Sequence, residues 1–164
     1  MLQLSYLGES KKLQLSPETE KWLIVRKPIS GIPNGFLHVP ALSPSIRLFD
    51  KAQEWKQGYR SPEDLQFLES QQIENSADAW WDLYAHGFQE EIKNRTDMIE
   101  MLKHLERRMQ AGLSTVIFCF CKKEERCHRT FIGSYFEQKG YRVSRQKKEV
   151  EQPKEFEQLS IFDY

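Results

Sequence analysis

The sequence predicts an α/β fold: a small, mostly parallel sheet flanked by helices, in a single domain over residues 1–145, with a flexible polar tail over residues 146–164. Three observations predict it. Trp22–Val25 and Thr115–Cys121 are uninterrupted apolar runs, the pattern of strands covered on both faces. Between them, apolar residues recur at helical spacing. From Thr96 to Val143 the chain reads helix, strand, loop, helix, strand, the order of a parallel crossover. The 164 residues, 39% hydrophobic and 12% aromatic, suffice for one packed core. A mean hydropathy of −0.68 then places a very polar stretch outside that core.

Each element has its own signal. Met1–Leu7 and Lys21–Lys27 carry strand formers. Pro28, Gly31, Pro33 and Gly35 punctuate an extended loop. Ser43 or Ser45 caps a helix over Ile46–Lys56. Ser61-Pro62-Glu63-Asp64 opens the next, through about Gln72, with a cap, proline at the first helical position and acids in the first turn. Ser76 caps a third, whose Trp81, Tyr84, Phe88 and Ile92 form a core stripe. Thr96 opens a fourth, with Met98, Ile99, Leu102, Leu105 and Met109 inward and Gly112 at its end. After Thr115–Cys121 comes a tight loop at Lys122–Glu125. A helix over Arg126–Lys139 follows, with Phe131, Ile132, Tyr135 and Phe136 inward, and a strand starts at Tyr141.

Composition narrows the function classes. Lys and Arg number 24, as do Asp and Glu, so the chain is not a wholesale basic nucleic-acid binder, and DNA is expected only indirectly. No apolar run approaches the roughly 20 residues that span a bilayer, and the N-terminus lacks a signal-peptide pattern. Three cysteines, all between 119 and 127, do not make a disulfide framework. The reading is a cytoplasmic protein without membrane association.

Chemistry is expected where the buried strand ends, because open α/β sheets bind ligands beyond their carboxyl ends, at helix N-termini. Cys119, Cys121, Cys127, His128 and Arg129 lie there. Alternation puts Cys119 and Cys121 on one face. Cys127, His128 and Arg129 fall in the first helical turn, where a cysteine pKa is lowered and an anion is welcomed. Three readings compete. A C-x-C-x5-C-H metal site offers four zinc ligands, but Cys127 and His128, adjacent in a helix, point about 100° apart, so no metal ligand is assigned. A phosphatase-like or rhodanese-like anion loop fails by one residue, since the position for its Arg holds Cys127. The third reading is a pocket in which Arg129 and the helix N-terminus hold an anionic or nucleotide-like ligand, with His128 or a cysteine polarised beside it. Cys119 reads as core packing. No cofactor is implied.

The segment VIFCFCKKEERCHRTFIGSYFEQKGYRV resembles the C-terminal half of the domain of unknown function 488 family. There an apolar strand ending in Cys-x-Glu precedes a short loop, Cys-His-Arg opening a helix, then Gly and another strand. LIVRKPISG, ALSPSIRLFDKAQEW and WWDLYAHGFQEEI are similar to earlier pieces of that family in the same order. The resemblance spans roughly residues 20–145 and points to Arg26, Pro44, Ser45, Cys119, Cys127, His128 and Arg129. Cys121 stands where the family commonly has Glu. What it implies is a fold and a pocket, without an established reaction.

The polar stretch after Ser144 ends in Gln158-Leu159-Ser160-Ile161-Phe162, which resembles the motif by which bacterial replication and repair proteins bind the sliding clamp. Leu159, Ile161 and Phe162 suit an apolar groove and Gln158 its rim. Docking on the chain's own domain and edge addition within a homodimer are the other readings. Two functions follow. One is a DNA-metabolism accessory protein of a bacterium, phage or plasmid, binding an anion or nucleotide through Arg26, Ser45 and Arg129 and recruited to the clamp. The other is an enzyme using Cys127 and His128 on a phosphorylated or nucleoside-like substrate, with a structural tail.

Overall fold

A computed structural model describes residues 1–28 and 30–145; the tail motif Gln158, Leu159, Ile161 and Phe162 lies outside them. Five strands form one sheet: β1 (Leu2–Tyr6), β2 (Glu20–Leu23), β3 (Phe36–His38), β4 (Thr115–Cys119) and β5 (Val143–Arg145). Their order is β3-β2-β4-β1-β5, and every pairing is parallel. The helices are α1 (Ile46–Lys56), α2 (Pro62–Ser70), α3 (Ala79–Asn94), α4 (Thr96–Gln110) and α5 (His128–Gln138). The α/β class and the flanked parallel sheet are as the apolar runs predict. None of the described helices is long and apolar enough to cross a membrane.

The most apolar run takes the middle of the sheet. All five residues of β4 are buried, between β1, where Tyr6 pairs with Cys119, and β2, where Leu23 pairs with Phe118. The connection leaving β1 runs to one side, to β2, and the one leaving β4 runs to the other, to β5. The crevice between the carboxyl ends of β4 and β1 is therefore a topological switch point, where open parallel sheets bind ligands. Cys119 sits at its rim.

Several boundaries differ from the sequence reading. β3 lies where only a loop end is expected, since three residues carry no period of their own. The β2 ladder stops at Leu23, although Ile24 and Val25 stay buried beyond it. A 3-10 turn over Leu7–Lys12 follows β1. Helix α3 starts at Ala79 behind Asp78 rather than next to Ser76, whose carbonyl instead accepts from Ala79 N at 3.2 Å. The α2 signature is realised in full, with a capping box between Ser61 and Asp64.

Candidate functional site

The site begins where β4 loses its partners. β1 ends level with Cys119, at Tyr6, and β2 ends one residue earlier, with Leu23 opposite Phe118, so the ladder stops at Cys119 instead of running on to Cys121. Phe120 turns outward, 39% exposed. Half-buried Cys121 turns back, its Sγ 3.7 Å from Cys119 Sγ. A 3-10 turn over Glu124–Arg126 then delivers Cys127 to the cap position of α5. The three Sγ atoms lie within 4.8 Å of one another, and all three cysteines are free.

His128 opens α5 and is buried. Its Nε2 lies 2.8 Å from the carbonyl of Ile24. A carbonyl only accepts, so Nε2 carries the proton and Nδ1 turns its lone pair toward the sulfurs. Nδ1 is 4.0 Å from both Cys119 Sγ and Cys127 Sγ. The expected divergence of Cys127 and His128 assumed helical backbone at both. Cys127 is extended instead, at φ −133° and ψ 141°, and this brings its sulfur to the imidazole. Arg129 is buried too. Its Nη1 donates to the Cys121 carbonyl at 2.7 Å and to Cys127 Sγ at 3.7 Å, whereas its Nε has no partner among the described residues.

The lowering expected for Cys127 at the start of α5 is not found there. Cys127 is pushed well above its ordinary value, first by burial and then by Cys119 and Cys121. Cys119 falls well below the thiol range because Cys121 and Cys127 donate hydrogen bonds to it, with Arg129 adding its charge. Cys121 is raised, mainly by its hydrogen bond to Cys119. The three thiols are thus coupled, with the pull toward ionisation falling on Cys119 and away from Cys121 and Cys127. Burial pushes His128 down and keeps it neutral. Burial also raises the Tyr84 phenol well above its usual range, followed by the three cysteines and Glu91.

Arg26 and Ser45 belong to a neighbouring network. Arg26 Nε and Nη2 donate to the Pro44 carbonyl at 3.0 and 2.8 Å. Ser45 caps α1, accepting from Leu48 N at 3.1 Å and donating to Glu91 Oε1, whose Oε2 accepts from Ser45 N at 3.0 Å. Arg95 pairs with Glu91 at 2.8 Å and donates to the Ser43 carbonyl at 2.8 Å. Ser45 and Glu91 also line a cleft of about 430 Å³ with Leu48, Trp55 and His86. Sequence reasoning missed Glu91, Arg95 and Tyr84. The four-residue spacing of Glu91 and Arg95 on one helix was the available signal for the pair. By its period Tyr84 reads as part of the core stripe.

Residues 61–140 match the family model DUF488-N3a, described as the active DUF488-N3 subclade. That match supports the family suggested by the Cys-His-Arg segment. It takes in Tyr84, Glu91 and the whole thiol, imidazole and guanidinium cluster, but neither Arg26 nor Ser45. The chain matches no curated protein and no solved structure.

Proposed function

We propose that this chain is a DNA-metabolism accessory protein whose domain takes an anionic or nucleotide-like ligand at the carboxyl end of its sheet, and whose tail recruits it to a bacterial sliding clamp. One observation carries the ligand half. Cys127, His128 and Arg129 gather with Cys119 and Cys121 at the N-terminus of an 11-residue helix, beside the switch point of a parallel sheet. Arg129 contributes a buried cation, and Arg26 and Ser45 form the polar network on the next chain segment. The tail half is supported by the motif Gln158-Leu159-Ser160-Ile161-Phe162. A near-neutral domain gains effective concentration at DNA from such a tether.

Binding of the full chain to a bacterial sliding clamp tests the recruitment. The parent binds with about micromolar affinity or better. Leu159→Ala with Phe162→Ala abolishes binding and leaves the melting temperature unchanged. Absence of binding by the parent, or a melting temperature lowered by the double substitution, would contradict it.

A second reading is favoured by the buried imidazole of His128, whose Nδ1 lies 4.0 Å from the sulfurs of Cys119 and Cys127. In this enzyme reading Cys127 or His128 performs nucleophilic or acid–base work on a phosphorylated or nucleoside-like substrate. The word "active" in the family model's description supports it. Turnover that survives the double tail substitution separates this reading from the first.

A further inference from the structure

We propose that Cys119, Cys121 and Cys127 bind a zinc ion as thiolates, with His128 Nδ1 as the fourth ligand. Tetrahedral zinc with Zn–S bonds of about 2.3 Å sets its sulfurs about 3.8 Å apart. The Cys119–Cys121 separation is 3.7 Å, and all three sulfurs lie within 4.8 Å of one another. His128 has the orientation of a metal-bound histidine. Its far nitrogen donates to a backbone carbonyl, Ile24 O at 2.8 Å, which fixes the ring and leaves Nδ1 4.0 Å from two of the sulfurs.

Charge supports the same assignment. Three thiolates around a divalent cation leave one net negative charge. The buried Arg129 guanidinium is in place to cancel it, with Nη1 3.7 Å from Cys127 Sγ and no carboxylate paired to it among the described residues. A buried cation with no opposite charge is otherwise costly. Binding displaces the thiol protons to solvent and involves no oxidation or reduction. Half-buried Cys121 provides the side from which metal enters. Soft thiolate ligands select zinc over magnesium or calcium.

The test is metal content of the reduced, full-length protein. The parent carries about one zinc per chain, and its cobalt-substituted form absorbs in the near ultraviolet through thiolate-to-metal charge transfer. Cys121→Ser, at the most exposed of the three positions, loses both signals while its circular dichroism stays native. If Cys127→Ser fails to fold, Cys121→Ser still decides. A parent that takes up no added zinc, or a Cys121→Ser variant that keeps stoichiometric zinc, would overturn the inference. It is separable from the ligand reading. Inorganic phosphate stabilising a zinc-free parent leaves that reading standing alone, and zinc uptake without phosphate stabilisation does the reverse.

Discussion

At the scale of single residues, neighbours in sequence do different work. Cys127 is extended with its thiol pushed up by burial, His128 is helical with its imidazole pushed down by burial, and Arg129 brings a buried charge. Ser45 shows the same economy, because one hydroxyl both caps α1 and donates to Glu91. Removing it costs a helix cap, about 1 kcal/mol, and a hydrogen bond to a charged group, about 1.5–3 kcal/mol. Ser45→Ala is therefore expected to lower the melting temperature by on the order of 5–10 °C. Thermal unfolding followed by circular dichroism checks this, and a shift below a degree would mean that Glu91 and Arg95 hold the α1 start without Ser45.

At the scale of elements, the thiol cluster depends on where β4 stops and α5 starts. α5 is held against β1 by a close approach at Gly133, where a β-carbon would come 2.7 Å from Leu4 Cδ1. Leu4 is fully buried, so a larger side chain at position 133 must displace packed atoms. Gly133→Val is expected to cost about 1–3 kcal/mol through overpacking. The reading is a lower urea midpoint at unchanged slope; an equal or higher midpoint would contradict the packing. Much of this level was legible in the sequence. The apolar run of β4, the capped starts of α1 and α2 and the stripe of α3 each carry a local cause. β3 does not, because its three residues are a strand only through pairing with β2.

At the scale of the whole molecule, strand order creates the site. Alternation along a strand could suggest that Cys119 and Cys121 share a face. It could not show that β2 ends opposite Phe118 and β1 opposite Cys119, so that the chain folds back and brings Cys121 Sγ within 3.7 Å. Nor could helical spacing reveal that Cys127 lies just before the helix, with its sulfur turned to Cys119. The place where these side chains gather was legible, at the junction of a buried strand and a helix start. The convergence of three sulfurs, an imidazole and a guanidinium was not, since it rests on backbone angles at Cys127 and on the lengths of two other strands.

The central claim is that this end of the sheet holds an anionic ligand through Arg129. Thermal unfolding of the full chain with inorganic phosphate, a nucleoside monophosphate and a nucleoside triphosphate tests it most directly, with Arg129→Lys as the comparison. Lysine keeps the positive charge and loses the planar fork of donors. At ten times its dissociation constant, a ligand that binds only the folded state contributes about 1.4 kcal/mol, a rise on the order of 3–6 °C. The account predicts that rise for the parent with at least one of the three ligands, and its loss in Arg129→Lys. Equal stabilisation of parent and variant, or none in the parent, would contradict it.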